Sequence, residues 1–374
     1  LPPAESGAPP ATGSTAPDRP LGPEASLRAG EIDDNAAFDD YLAYLNEYRV
    51  NFRNDGVRPH DISERYLIRV IDDQQRPLVD ARVTVFDGDR AIFRGRTYAG
   101  GRTIFIADPA EIANAEQLRV VAEYGNAGAE TTFVRNSTTS IELGLRGVQI
   151  DETLRLDLLF LLDTTGSMDD ELRKIQDTID EIAGRIDGFA PRPEIRYGLV
   201  AYKDQDDDYV TQAAPFTSDL AAFRAVLRRL SANGGGDTPE AVDEALYDAV
   251  VRAEWSEQPA VRLVFLVADA GPHIRENSQF TYLDGIQTAV ERGVKIYPIA
   301  ASNTDPAAEY VFRQMAQQTL GGFIFLTYQP GASSGAPGES TTLEAGEQPY
   351  SVERLDDLIV LIVERELAAA IGAR

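Results

Sequence analysis

From residue 154 onward, apolar runs of strand length alternate with stretches of helical periodicity, and this rhythm constrains the fold more than any other feature. Strands are predicted over 154–162 (LRLDLLFLL), 194–202, 261–268 (VRLVFLVA), 294–300 and 322–328, with an edge strand over 209–216. Helices are predicted over 168–186, 219–230, 239–254, 282–292 and 307–320, and over 352–371 after a Gly/Ser/Pro-rich loop at 329–349. Alternation of this kind implies an α/β fold: a doubly wound, mostly parallel sheet with helices on both faces.

In such a sheet, ligands bind beyond the carboxyl ends of the strands. The first strand runs into Asp163-Thr164-Thr165-Gly166-Ser167-Met168, and the 261–268 strand runs into Asp269. Thr238 follows Gly234-Gly235-Gly236-Asp237 ahead of a helix. Asp163, Thr165, Ser167, Thr238 and Asp269 offer two carboxylates and three hydroxyls. An all-oxygen set suits a hard cation, Mg²⁺ or else Mn²⁺ or Ca²⁺. Two of these positions have a second local explanation: Ser167 with Asp170 is also a capping-box pattern, and Thr238-Pro239-Glu240 also reads as an N-cap followed by proline at the first helical position. The roles are compatible, because a capped helix start holds a hydroxyl at the sheet edge.

These motifs, in this order and in these strand contexts, resemble the von Willebrand factor A-type domains, whose metal-ion-dependent adhesion site reads Asp-x-Ser/Thr-x-Ser, then a distant Thr, then a distant Asp. DTTGSM, GGGDTPEA and VFLVADAGPH carry the resemblance, which runs from about Leu154 to the C-terminus. It implies that Thr165, Ser167 and Thr238 contact the cation through hydroxyl oxygens, while Asp163 and Asp269 act through water or through hydrogen bonds to those hydroxyls. It also implies a binding role, in which the Asp or Glu carboxylate of a protein partner completes the shell of an under-neutralised ion. Asp237 is expected to orient Thr238 as an outer partner. Asp204, Asp206, Asp207 and Asp208 follow the second strand and read as either an extra Ca²⁺ site or a solvated acidic loop. His273, close after Asp269, either reaches the ligand or shapes the turn.

The upstream part is organised differently. Residues 1–30 are rich in Pro, Ala, Gly and Ser, bury too little apolar surface to offset their ordering entropy, and are expected to form a flexible tether. Residues 31–60 hold an amphipathic helix over 34–50, with Phe38, Tyr41, Leu42, Leu45 and Tyr48 on one stripe that is expected to pack on the following domain. Residues 61–147 switch to period-two alternation (YLIRVID, ARVTVFD, TIFIAD, QLRVVAEY, ETTFVR, SIELGL), which predicts a small all-β sandwich. The run RPLVDARV followed by TYAGG resembles carboxypeptidase regulatory-like (transthyretin-like) domains and implies a spacer or interaction module. The A-type domain is expected to fill 152–374, with 329–349 as a flexible loop.

Composition narrows function by exclusion. The chain has 374 residues, enough for two domains and a tail. It contains no Cys, which excludes disulfides, thiolate zinc sites and cysteine nucleophiles. Its formal charge of −26 repels phosphate backbones, so nucleic acid is excluded as a partner. No apolar run has the length of a transmembrane segment. No histidine or lysine base is poised for hydrolysis, and DTTGSM is not the Gly-x-Gly-x-x-Gly of a dinucleotide site, so an enzyme is not expected. The expected function is a metal-dependent protein-binding or adhesion module of an exported bacterial cell-envelope protein. Its expected location is the periplasm or cell surface, with a lipid anchor upstream of residue 1 as one arrangement. The alternatives are an A-domain accessory protein working with an ATPase, and a structural envelope protein whose metal locks the fold.

Overall fold

The computed structural model describes residues 26–190, 192–236, 238–329, 341, 343 and 350–372. Its first element corrects the expected tether: Arg28–Ile32 forms strand β1, while residues 1–25 lie outside the described residues. The segment RAGEI has weak strand propensity, so pairing decides its conformation. It runs antiparallel along Phe323–Thr327, with Arg28 opposite Thr327 and Ile32 opposite Phe323.

Helix α1 (Phe38–Phe52) forms within the predicted amphipathic segment and extends two residues beyond it. Its aromatic stripe packs mainly on the helix Pro306–Gln318 of the later domain instead of the domain that follows it. Tyr48 and Tyr310 have ring centroids 4.7 Å apart, and the Arg313 guanidinium lies 3.8 Å over the Tyr44 ring. Arg313 also pairs with Asp34 at 2.6 Å, both side chains being buried. Phe38 instead lies beneath Arg65 of the sandwich.

The sandwich comprises β2 (Arg65–Asp72), β3 (Arg82–Asp87), β4 (Arg90–Arg96), β5 (Arg102–Ile106), β6 (Gln117–Tyr124), β7 (Ala127–Val134) and β8 (Ser140–Leu145). A three-stranded sheet, β5-β2-β8, faces a four-stranded sheet, β4-β3-β6-β7. Ile68, Val70, Val83, Val85, Val120 and Leu143 fill the space between them. Strand β4 is absent from the predicted runs because RAIFRGR lacks clean alternation. It is held by pairing with β3 across a tight turn at Gly88, whose φ is +59°.

The second domain follows the βα rhythm: β9 (Arg155–Asp163), α2 (Asp169–Asp187), β10 (Glu194–Tyr202), β11 (Thr211–Thr217), α3 (Leu220–Leu227), α4 (Val242–Leu246), β12 (Val261–Ala268), α5 (Tyr282–Arg292), β13 (Val294–Ala300), α6 (Pro306–Gln318), β14 (Phe323–Thr327), β15 (Glu353–Arg354) and α7 (Leu355–Ala370). The sheet order is β11-β10-β9-β12-β13-β14-β1-β15. Strands β9, β10, β12, β13 and β14 are parallel, while β11 and β1 pair antiparallel. Strand β9 is continuously apolar from Leu158 to Leu162 because both its faces are covered there. Leu156, Leu158, Phe160 and Leu162 meet α2 and α7, whereas Leu159 and Leu161 meet the layer holding Leu246, Val250 and Ile286.

Two helix starts differ from expectation. The predicted 239–254 helix begins only at Val242 and continues as a π-helical stretch, Tyr247–Arg252. The Glu240 amide donates to Gly271 O (2.9 Å), which draws the segment into a bridge beside Pro272 and delays the helix. Thr238 is therefore not its N-cap, a position taken by Ala241. Helix α2 likewise follows Met168 with no side-chain cap, so the Ser167 capping box does not form. Apart from Gln329, Thr341 and Leu343, the 329–349 loop lies outside the described residues. Among the described residues, no helix is long and apolar enough to cross a membrane.

Candidate metal centre

Strand β9 has β10 on one side and β12 on the other, so the order in which strands are added reverses here. Crevices at such points are the usual ligand sites of open α/β sheets. Leu162 lies level with Val267, which puts Asp163 and Asp269 beside each other just past the strand ends. Asp163 is fully buried; its Oδ1 accepts from the Thr165 amide (2.9 Å) and from Thr165 Oγ1 (2.7 Å). The Thr165 and Ser167 hydroxyls are 3.1 Å apart. A run of oxygens thus leads from Asp163 through Thr165 to Ser167.

Two carboxylate oxygens, Asp163 Oδ2 and Asp269 Oδ1, are buried without a hydrogen-bond partner. Buried acceptors are nearly always satisfied, so such atoms call for an explanation. Burial, reinforced by the Asp269 charge, pushes the Asp163 carboxyl up to about 7. Burial raises Asp269 as well.

The loops around this group are tied by backbone. Gly166 N donates to Gly234 O (3.0 Å), Asn233 N to Thr164 O (3.2 Å) and Thr164 N to Tyr202 O (2.9 Å). A Cβ at Gly166 would come within 2.7 Å of Gly234 O, so the motif needs glycine there.

The other predicted site residues separate. Thr238 is exposed and makes no hydrogen bond among the described residues. Asp237 lies outside the described residues. Asp204 and His273 pair with each other at 2.7 Å, linking the loops that follow β10 and β12. The acidic stretch is largely committed to partners. The Asp207 carboxylate accepts from Gly235 N (2.9 Å) and Asp204 N (3.1 Å), and Asp208 pairs with Lys203 (2.7 Å).

Sequence reasoning missed Glu240. It is only 2% exposed, and its Oε2 has no partner. Its Oε1 and the Thr165 side chain both border Gly235, where a Cβ would lie 3.3 Å from that oxygen and 3.1 Å from Thr165 Cβ. Burial, then the charges of Asp163, Asp204 and Asp269, push its carboxyl up to about 8. Its one signal in the sequence is its place two residues after Thr238. Among the described residues, no three His, Asp or Glu side chains are gathered so as to hold an ion by themselves. The hydroxyls of Thr165 and Ser167 are therefore indispensable to any donor set here.

Residues 157–327 match the family model of the von Willebrand factor A domain, and the mostly parallel sheet accords with that fold. Curated relatives include an ariadne-like RING finger protein of Acanthamoeba polyphaga mimivirus, 27% identical over 169 residues, covering 40% of this chain and 16% of that protein. Hemicentin-2 of Mus musculus is 38% identical over 93 residues, covering 25% of this chain and 2% of that protein. The von Willebrand factor A domain-containing protein 7 of Rattus norvegicus is 33% identical over 132 residues, covering 35% and 14%. The chain thus spans less than a fifth of the length of each of these three relatives. Solved neighbours include BatB of Bacteroides thetaiotaomicron (TM-score 0.38, 13% identity, covering 57% of this chain and 98% of that one). Another is proximal thread matrix protein 1 of the mussel byssus with a zinc-occupied MIDAS motif (TM-score 0.33, 14% identity, covering 45% of each chain).

Proposed function

We propose that the A domain is a metal-dependent protein-binding or adhesion module, and that it is not an enzyme. The observation that carries this reading is the oxygen run Asp163–Thr165–Ser167, together with two buried, unpartnered carboxylate oxygens, Asp163 Oδ2 and Asp269 Oδ1, at the carboxyl ends of adjacent strands. Hydroxyls near the centre and carboxylates standing off suit a hydrated hard cation such as Mg²⁺, which keeps several waters, with Mn²⁺ or Ca²⁺ as alternatives. Asp163, Thr165, Ser167 and Asp269 would hold it, with Thr238 at the rim. When bound, it supplies a positive centre for an anionic oxygen, such as an Asp or Glu carboxylate of a protein partner.

The chain's own residues prepare that centre. Asp163 orients Thr165 through two hydrogen bonds, so the hydroxyl points one way before any ligand arrives. The first turn of the 19-residue helix α2 begins beside Ser167, and its positive end favours an anion there. Electrostatics argues for a metal here: at a net charge of −26, an acidic partner is repelled unless a local positive centre receives it.

The sandwich fits the role of a carboxypeptidase regulatory-like spacer. Export to a bacterial periplasm or cell surface, with or without a lipid anchor, accords with an adhesion role.

The test is thermal melting in EDTA and in Mg²⁺, Mn²⁺ or Ca²⁺, beside Asp163→Asn. At 100 times its Kd, a metal stabilises by about 2.7 kcal/mol, a shift of several degrees. A metal-dependent rise that Asp163→Asn abolishes supports the reading. Equal melting in EDTA and in all three metals overturns it.

A further inference from the structure

We propose that Glu240 is a third carboxylate of the metal centre, the inward-facing group supplied by the loop in which the sequence pattern points to Thr238. This inference rests on the metal-binding reading above and assigns a further residue to it.

Three independent placements converge. First, Glu240 is only 2% exposed and its Oε2 has no hydrogen-bond partner, whereas Thr238, two residues earlier, is exposed. A buried carboxylate without a partner is among the least favourable groups in a protein interior and persists where something else compensates it. Second, its direction is fixed by backbone. Glu240 N donates to Gly271 O at 2.9 Å, and the residue bridges Pro272, so it is anchored to the loop that carries Asp269. Third, Glu240 and Thr165 both border Gly235: a Cβ built there would lie 3.3 Å from Glu240 Oε1 and 3.1 Å from Thr165 Cβ. Among the acids acting on Glu240 are Asp163 and Asp269, whose own inward oxygens are likewise unpartnered.

The three acids are not close enough together to hold an ion by themselves. Glu240 therefore acts on the ion's water shell, as outer carboxylates of Mg²⁺ sites do, with Thr165 and Ser167 as the inner oxygens. It also changes the charge balance. Two aspartates neutralise a dication, and a third carboxylate leaves the loaded site with excess negative charge. Glu240 thus tightens the metal while weakening the pull on an incoming carboxylate.

Opposite effects of one isosteric change provide the test. Mn²⁺ affinity is measured by titration calorimetry, and melting is measured in EDTA, on the whole chain as wild type, Glu240→Gln, Glu240→Asp, Thr238→Ala and Asp163→Asn. Removing outer partners of metal sites typically costs 10–100-fold in affinity. Glu240→Gln is expected to raise the Mn²⁺ Kd about 10-fold or more. It is also expected to raise the melting temperature in EDTA, because a neutral amide replaces a buried carboxyl that lacks a partner. Glu240→Asp, which keeps the charge, should recover part of the affinity, and Thr238→Ala should cost less than Glu240→Gln. A merely structural Glu240 would not lower affinity and raise metal-free stability together.

A Glu240→Gln Kd equal to that of wild type, while Asp163→Asn abolishes binding, overturns the role of Glu240 and leaves the metal site standing. Absence of Mn²⁺ binding by wild type overturns both.

Discussion

Asp80, in the turn leading into β3 of the sandwich, and Arg262, in the central strand β12 of the A domain, form a buried, two-pronged ion pair across the domain boundary. Nη1 lies 2.7 Å from Oδ1, and Nη2 lies 3.2 Å from Oδ2. Arg262 also donates to the carbonyls of Ser256, Gln258 and Arg292, so its guanidinium is closely bound on several sides. The pair sits at the amino ends of the strands, opposite the candidate metal centre, and ties the sandwich to the sheet.

Removing one partner of a buried pair leaves an uncompensated charge and costs about 3–5 kcal/mol. Asp80→Ala is therefore expected to destabilise the protein by about that amount. Replacing both residues with apolar ones of similar size should cost much less. Urea unfolding of the single and double variants checks this, and a single variant within 0.5 kcal/mol of wild type would contradict it.

Strand β1 covers an edge that would otherwise be open. Leu27, Ala29 and Ile32 are buried, and the backbone of β1 satisfies that of β14. Deleting residues 1–33 should cost on the order of 3 kcal/mol from lost apolar burial. It should also expose β14 to edge-to-edge pairing. Lower melting together with concentration-dependent self-association in size-exclusion chromatography is the expected outcome.

Gly234 lies in the loop leading to Thr238 and Glu240, with φ +73°, and a Cβ there would run into the Asp207 carboxylate. Gly234→Ala should cost on the order of 1–2 kcal/mol for the left-handed backbone. It should also shrink the Mg²⁺ stabilisation by dislodging Asp207 from Gly235 N, although no proposed ligand is changed. At Gly236 a Cβ meets nothing within 4 Å, so Gly236→Ala serves as the control and should leave both quantities unchanged.

Burial and like charge raise Asp163 to about 7 and Glu240 to about 8, and burial raises Asp243 to about 7. In the unfolded chain these groups ionise near pH 4. The folded, metal-free protein thus holds protons that the unfolded chain has released. Their contribution is present in full below about pH 4 and is lost as pH rises through 7 to 8. Melting temperature in EDTA is expected to fall between pH 5 and 8.5, and Mg²⁺ should flatten that slope. A melting temperature that rises steadily over this range in EDTA would contradict the assignment.

Local signals made much of this protein legible in its sequence. The parallel strands are readable because burial on both faces forces near-continuous apolar runs such as LDLLFLL. Asp163, Thr165 and Ser167 are readable because they share one short turn, whose spacing by itself aligns them. Asp269 is readable because it ends a strand that can only be central.

What only the tertiary structure decided depends on partners distant in the chain. RAGEI is a strand because the edge of β14, nearly 300 residues later, needs hydrogen bonds, and no local pattern encodes that. The aromatic stripe of α1 was visible in the sequence, but its surface on α6 was not. Most telling is the loop after Gly236. Its sequence points to Thr238, yet with the Glu240 N–H donating a hydrogen bond to the Gly271 carbonyl, Thr238 is left exposed and Glu240 is buried. Side-chain chemistry is written residue by residue, but which side chain faces the site is set by backbone pairing between strands that the sequence does not itself align.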